Sequence, residues 1–378
     1  MTTLAWSDLR ALAAFRAQSG CALSLYVDLG PEVAATPRDV QRRASAMLDE
    51  AAKLARSAGD DLDHEARLAL RADLARAREF IEHDLDRDGS HGLALFAAPL
   101  DDLWRVLQLR GRVADAVHVS SQLYVTPLVS HVDDERAIVA HVGRELGEVY
   151  VLRDGRLAKV ADRTSEQPRR HDQGGWSQAN YQRHVDALAR AHLRDVAEVL
   201  DDELHRLGGA AVVLAGTEEA RAELEPLLAE RVAGSVVGWT RVESHASASD
   251  LQPAAQEVLT EHRARRERLL LDRWLEDIGR GIRAAAGWAD TCEAASDERV
   301  ETLLYDAAAN HDVSRCPTCT RLQIDEGTCP LDGFLLERRA EGLDLVVHKV
   351  LEHGGTVVAV SAHRDLDPVG GIGALLRF

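Results

Sequence analysis

Lysine is nearly missing from this chain. Of 378 residues only Lys53, Lys159 and Lys349 carry it, and arginine supplies almost all of the positive charge. A bias toward arginine and alanine follows from genome composition, and no function is read into it. Long apolar runs are missing too: none approaches the roughly 18–20 residues that a spanning helix needs. The opening MTTLAWSDLRALAAF has no basic head before a hydrophobic stretch, so no signal peptide is expected and the chain reads as cytoplasmic. Cysteine is scarce and odd in number, five with three crowded together, which argues against a disulfide framework. There is no P-loop, no G-x-S-x-G elbow and no H-E-x-x-H pair. Positive charge is outnumbered, 45 Lys+Arg against 63 Asp+Glu for a net charge of −18. A general field that attracts nucleic acid is thereby excluded, and any RNA contact must be local.

What is present is 46% hydrophobic and 29% charged, the balance of a soluble globular chain, and too long for one core. The patterning predicts helices around Ser7–Ala17, from the Thr36-Pro37 cap to about Arg56, and over Leu62–His83. Strands are expected at Cys21–Gly30, His91–Pro99, Leu103–Leu109 and Ser121–Val129. Next come strands at Ala137–Gly143, Glu148–Gly155 and Arg156–Asp162, with Asp154-Gly155 as a hairpin turn. A long helix, Gln178–Leu207, leads to a strand at Ala210–Gly216, a helix near Thr217–Leu228, a strand around Val232–Trp239 and a helix over Pro253–Ala286. The last third reads as strand, helix, strand, strand around a cysteine-rich insert. The expectation is an α/β (α+β) chain of three domains, 1–132, 133–267 and 268–378, with the insert at 311–333.

Three stretches invite a chemical reading. Asp84–Gly89 copies the front of an EF-hand loop, but the twelfth position, which must be a bidentate carboxylate, is Leu95. It is an acidic turn. Cys316-Pro317-Thr318-Cys319 and Cys329-Pro330-Leu331-Asp332 resemble the paired knuckles that supply four zinc ligands, with Asp332 where a last cysteine would stand and His311 as another candidate. Such a closed site would be structural. Third, Asp162–Trp176 is a long polar excursion ending in Gly174-Gly175, and excursions of that length are usually functional or disordered. The glycines free the backbone for close approach, Ser177 is placed to cap the next helix, and Arg163, Arg169, Arg170 and Arg183 make the neighbourhood basic. That combination suits a phosphate or a nucleic-acid end.

Taken together, Gly174-Gly175 with Ser177, Tyr181 and Arg183, the closing Gly370-Gly371-Ile372-Gly373-Ala374-Leu375-Leu376-Arg377-Phe378, and the insert between them resemble the bacterial branch of the archaeo-eukaryotic class I release factor superfamily. The resemblance implies a tRNA-shaped, three-domain protein with a layered α/β middle domain and an L7Ae-like α/β/α C-terminal domain. It would enter the ribosomal A site, contact peptidyl-tRNA and rRNA, and offer its last domain to a partner, with a translational GTPase as candidate. In that family a glutamine beside the glycines positions water against the peptidyl-tRNA ester. Here Trp176 holds that place and Gln178 follows two residues later. The expected catalytic residues are therefore Gly174, Gly175 and Gln178, with Arg169, Arg170, Trp176 and Arg183 on RNA and a structural zinc on Cys316, Cys319, Cys329 and Asp332. Three functions fit: peptidyl-tRNA hydrolysis in ribosome rescue, non-catalytic occupation of the A site during hibernation, or a release-factor scaffold reused away from the ribosome, which the net charge of −18 mildly favours.

Overall fold

The first long helix begins where the sequence places a cap. The Thr36 N–H donates to Asp39 Oδ2 at 3.0 Å, and the Asp39 N–H returns to Thr36 Oγ1 at 3.3 Å. This reciprocal pair satisfies two N–H groups that a helix start leaves open, and Pro37 supplies the first helical φ. The computed structural model describes residues 4–18, 20–57, 64–87, 89–132, 136–153, 156–164 and 177–378. It divides into two units, Met1–Asp133 together with Arg268–Phe378, and Asp134–Glu267. The first and last of the three segments expected from sequence therefore lie in one unit.

The N-terminal part of the first unit contains α1 (Trp6–Ala14), β1 (Ala22–Asp28), α2 (Pro37–Ser57), α3 (His64–Glu79), β2 (Gly92–Ala98), β3 (Leu103–Leu109) and β4 (Ala116–Ser120). The antiparallel sheet runs β3-β2-β1-β4. β1 is buried along its whole length because both faces are covered. Leu23, Leu25 and Val27 pack with Val40 and Leu48 of α2 and Leu70 of α3, while Ala22 and Tyr26 enter a second core. This is the period-two alternation of a strand, with Leu23, Leu25 and Val27 on one face and Ala22, Ser24, Tyr26 and Asp28 on the other.

The strand expected at Ser121–Val129 does not form. β4 ends at Ser120, and Thr126–His131 makes a 3₁₀ turn. Pro127 has no N–H for a ladder, and the N–H groups of Val125 and Thr126 donate instead to Asp344 Oδ1, each at 2.9 Å.

The second unit holds β5 (Ala137–Val142), β6 (Gly147–Arg153), β7 (Arg156–Asp162), α4 (Ser177–Leu207), β8 (Ala211–Gly216), α5 (Glu218–Leu224), α6 (Glu230–Ser235), β9 (Val236–Arg241) and most of α7 (Ala248–Arg280). Its sheet, β7-β6-β5-β8-β9, is antiparallel over the first three strands and parallel over the last three. Leu193, Val196, Leu200, Leu204 and Leu207 of α4 recur at helical spacing and pack on Ile138, Ala140 and Val142. Leu251, Ala255 and Leu259 of α7 cover the opposite face through Val139 and Val213. The result is a layered α/β arrangement. The Asp154-Gly155 turn lies outside the described residues. The strand expected from Val232 starts later, at Val236, because Glu230–Ser235 forms a helical turn whose Arg231 pairs with Asp201 of α4.

α7 stops at Arg280, where Gly281 takes φ +65°, so the helix expected to reach Ala286 gives way to the short strand β10 (Ala284–Ala286). There follow α8 (Gly287–Ser296), β11 (Val300–Asp306), β12 (Val313–Arg315), β13 (Leu322–Gln323), β14 (Glu337–Arg339), α9 (Gly342–Glu352), β15 (Thr356–Val360) and β16 (Ile372–Leu376). The sheet order is β10-β16-β11-β15, with β11 and β15 parallel and β16 antiparallel to β11. Gly371 has φ +78°, and a Cβ on Gly373 would meet the Trp274 indole at 2.8 Å. The closing glycines are thus explained by a left-handed turn and by an aromatic ring against the strand. Val346, Val347 and Val350 of α9 share one core with Leu9 and Leu12 of α1 and with Leu123 and Leu128. The chain is mixed α/β, as expected, and among the described residues no helix is long and apolar enough to cross a membrane.

Candidate functional site

β7 and α4 bound the polar excursion singled out in the sequence. Arg169, Arg170, Gly174, Gly175 and Trp176 lie outside the described residues. Gln178 is the second residue of α4, and Arg183 is exposed on the same helix.

The strand side of the excursion is pinned by a polar cluster. Beyond the end of β7, the Arg163 N–H donates to Gly147 O at 2.6 Å, and the Thr164 N–H donates to Asp162 Oδ1 at 3.0 Å. Lys159, opposite Tyr150 in register, binds Glu148 and also Asp162, the latter at 3.1 Å. The Tyr150 hydroxyl donates to Glu148 Oε2 at 2.8 Å. Thr164, then Lys159, hold the Asp162 carboxyl down to about 2, and the carboxylates hold the Lys159 ammonium above the ordinary lysine range. Burial, then Glu148, push the Tyr150 phenol up to about 12. None of these three groups exchanges a proton near neutral pH. The cluster fixes the strand end and offers no general base.

Behind it, His141 of β5 is buried, with Nε2 3.1 Å from Glu243 O, and burial holds its pKa below the ordinary histidine value. A Cβ on Gly147 would stand 2.7 Å from the His192 ring of α4, so the missing side chain lets α4 lie close to β6. Sequence reading missed the Glu148–Lys159–Asp162 cluster. Glu148 and Tyr150 do show same-face spacing, but their link to Lys159 depends on the β6–β7 register.

The cysteine insert is built on the small sheet β13-β12-β14. The first knuckle joins β12 to β13 and is closed by Cys316 N–H to Arg321 O at 2.9 Å and Thr320 N–H to Cys316 O at 3.1 Å. The second is closed by Gly333 N–H to Cys329 O at 2.9 Å, with Gly333 at φ +74°. Ligand atoms of Cys316, Cys319, Cys329 and Asp332 all lie within 4.8 Å of one another. The Cys319 and Cys329 sulfurs are 3.4 Å apart, and Cys316 Sγ is 3.2 Å from Asp332 Oδ2. A tetrahedral ion with ~2.3 Å metal–sulfur bonds keeps its sulfurs ~3.8 Å apart, so the set could hold one. His311 is not in the cluster; its Nδ1 lies 2.7 Å from Asp312 O, and its ring sits against Trp288. Burial opposes ionisation of Cys316, but N–H groups of Cys319 and Thr318 outweigh it and bring the thiol below its ordinary value, whereas burial pushes Cys319 up to about 12. A bound cation would take the three thiols as thiolates, releasing their protons, and would offset the repulsion between them and the Asp332 carboxylate.

Residues 124–267 match the family model described as bacterial archaeo-eukaryotic release factor family 10. A protein pelota homolog of Natronomonas pharaonis is 31% identical over 202 residues, 49% of each chain. A peptide chain release factor subunit 1 of Archaeoglobus fulgidus is 24% identical over 289 residues, 69% of this chain and 70% of its own. The chain thus spans about half the length of the first relative and 70% of the second. Among solved structures, archaeal Pelota in a ribosome-bound model with ABCE1 aligns over 76% of this chain and 77% of its own, at 17% identity and a TM-score of 0.42. The crystal structure of Archaeoglobus fulgidus Pelota aligns over 76% and 79%, at 17% identity and a TM-score of 0.34.

Proposed function

We propose that this bacterial archaeo-eukaryotic release factor-like protein works on the ribosome, releasing the nascent peptide from peptidyl-tRNA in rescue of stalled complexes. The supporting observation is that the matched segment, 124–267, contains β7, the Gly174-Gly175 excursion and α4, with Gln178 in the first turn of a 31-residue helix. An amide there can accept a hydrogen bond from water and donate one back, holding the water against an ester carbonyl. The water oxygen bonds to that carbon, the bond to the ribose oxygen breaks, and that oxygen takes the water's proton and leaves as a hydroxyl. The Lys159 cluster contributes no base, so the gain comes from placement, with charge stabilisation supplied by the ribosome. Arg169, Arg170 and Arg183 would meet RNA phosphates in the A site. A structural zinc on Cys316, Cys319, Cys329 and Asp332 would hold the insert together.

A Gln178→Ala variant tests this reading. Peptide release from peptidyl-tRNA on stalled ribosomes should fall sharply while ribosome binding is kept, because an interaction made only in the transition state costs turnover and not affinity. Unchanged release would refute it.

The second reading, hibernation in the A site without hydrolysis, is favoured by Trp176 standing where the family has glutamine. An indole stacks on an exposed base but cannot orient water as an amide does. On that reading the wild type shows no release, and Trp176→Ala loses more ribosome occupancy than Gln178→Ala.

A further inference from the structure

Three basic side chains of the first unit converge on a cavity of about 140 Å³: Arg16 just after α1, Arg315 at the end of β12, and Lys349 on α9. Gln122, Thr320, His348 and Glu352 complete its polar wall. In a chain of net charge −18, gathering half-buried cations around an open volume has a cost, since each loses hydration and each repels the others. Burial first, then the charge of Arg315, hold both Arg16 and Lys349 below their ordinary values.

The charges are only partly answered from within. Glu352 pairs with Arg16, which also donates to Ala13 O at 2.7 Å. Among the described residues neither Arg315 nor Lys349 has a carboxylate within ion-pair distance. Lys349 Nζ donates to Thr320 Oγ1 at 2.7 Å, and Arg315 Nη1 donates to Gln122 Oε1 at 3.3 Å. If the Gln122 amide turns over, its oxygen accepts from Arg16 Nη2 at 2.6 Å instead. One amide oxygen thus stands between two guanidinium groups and can serve only one fully. His348 also lines the cavity, but both its ring nitrogens are engaged by backbone carbonyls and its charge is matched by Asp344.

Thr320 brings a hydroxyl to the cavity. Among the described residues it is one of three non-glycine residues with positive φ, at 59°, at the turn position that Gly333 fills in the second knuckle. Glycine would suit that position but would remove the hydroxyl that meets Lys349. The left-handed turn closes the first knuckle through the Thr320 N–H to Cys316 O, and it presents the Thr320 hydroxyl to Lys349 at the cavity. Having accepted from Lys349, the hydroxyl keeps its own proton to donate.

We propose that this cavity binds a phosphate-type oxyanion, with Arg315 and Lys349 supplying the charge and Thr320, Gln122 and Arg16 the remaining hydrogen bonds. The volume matches the chemistry: a cavity of ~150 Å³ accepts a benzene ring, so a tetrahedral oxyanion fits with space for part of an ester substituent. Free phosphate and the terminal phosphate of a mononucleotide share that headgroup. The site lies in the unit that does not contain the Gly174-Gly175 excursion, and its test is independent of peptide release.

Calorimetric titration of the full chain in a phosphate-free buffer decides the matter, with inorganic phosphate in one arm and AMP in the other. Saturable binding with one site per chain is expected, weakened about tenfold or more in Lys349→Met and in Thr320→Val, the loss expected of one charge-assisted hydrogen bond. Lys349→Arg should retain it, as should Arg206→Gln, which removes a surface cation held by Glu203. Tighter binding of AMP identifies a phosphomonoester as the ligand, and equal or tighter binding of phosphate identifies the free ion. The absence of saturable heat from both ligands in wild-type protein overturns the proposal. So does undiminished binding in Lys349→Met and Thr320→Val, whose folding is checked by circular dichroism and thermal melting.

Discussion

Asp344 and Thr126 meet across 218 residues of chain: Asp344 Oδ1 accepts from the Thr126 N–H at 2.9 Å and from its hydroxyl at 2.7 Å. The Val125 N–H donates to the same oxygen at 2.9 Å, and His348 Nε2 lies 3.3 Å from Oδ2. The His348 nitrogens stand 2.8 Å from Ala13 O and 2.7 Å from Leu123 O. Carbonyl oxygens only accept, so both nitrogens carry protons and the ring is an imidazolium. One buried ion pair on α9 therefore fastens the end of α1 and the turn after β4.

Removing the parts of this knot should cost different amounts. Thr126→Val deletes one hydrogen bond to a charged group, expected to cost about 1.5–3 kcal/mol. Asp344→Ala strands a buried imidazolium and should cost about 3–5 kcal/mol. Urea unfolding of the first unit measures both, and equal losses would contradict the geometry.

The pair also sets a pH window. Burial opposes the charge on Asp344, but His348 and the donors of Thr126 outweigh it and hold its pKa below the ordinary carboxylate value. Burial likewise opposes His348, and Asp344 outweighs it, so its pKa is raised. The Asp344 contribution is present above the unfolded carboxylate value of ~3.9 and lost as pH falls through the lower folded value. The His348 contribution is complete below ~6.5 and lost as pH rises through the higher folded value. The difference in unfolding free energy between wild type and His348→Gln should be largest between about pH 4 and 6.5 and shrink on the alkaline side.

Asp73 on α3 is a liability. It is 3% exposed, its Oδ2 has no hydrogen-bond partner among the described residues, and burial pushes its pKa up to about 7 against the pull of Arg76. A carboxyl raised on folding stabilises below its unfolded pKa and loses that contribution as pH rises through about 7. Asp73→Asn should therefore be more stable than wild type by roughly 2–4 kcal/mol above pH 7, and the two should converge near pH 4. Melting curves across that range test it.

For the insert, the proposed zinc makes the four ligands unequal. Purified protein should hold one zinc per chain by elemental analysis. Asp332→Cys should tighten it, because thiolate is the softer ligand, and Cys329→Ser should release it to a chelator. His311→Ala should leave the metal content unchanged. Zinc-free protein with freely titratable thiols would refute the assignment.

Much of this was legible in the residues. The Thr36 cap, the α4 stripe and the two knuckles are local patterns whose spacing carries its own geometry. What failed to show was long-range. Ser121–Val129 is β-rich in composition, yet the N–H groups of Val125 and Thr126 are claimed by a carboxylate more than 200 residues away. Ala284–Ala286 continues a helical composition, but pairing with β16 makes it a strand. The Lys159 cluster depended on a register, and the basic cavity on four distant segments meeting.

The first unit is assembled from two stretches with Asp134–Glu267 between them, and synthesis must respect that order. Leu9, Leu12, Leu123 and Leu128 are made long before Val346, Val347 and Val350, with which they share a core. The intervening stretch has cores of its own and can fold while the earlier face waits. Until α9 emerges, that face is open to chaperones or to other nascent chains, and contacts of such sequence separation form slowly. A chain aborted before α9 would be left with an uncovered apolar surface, marking it for degradation.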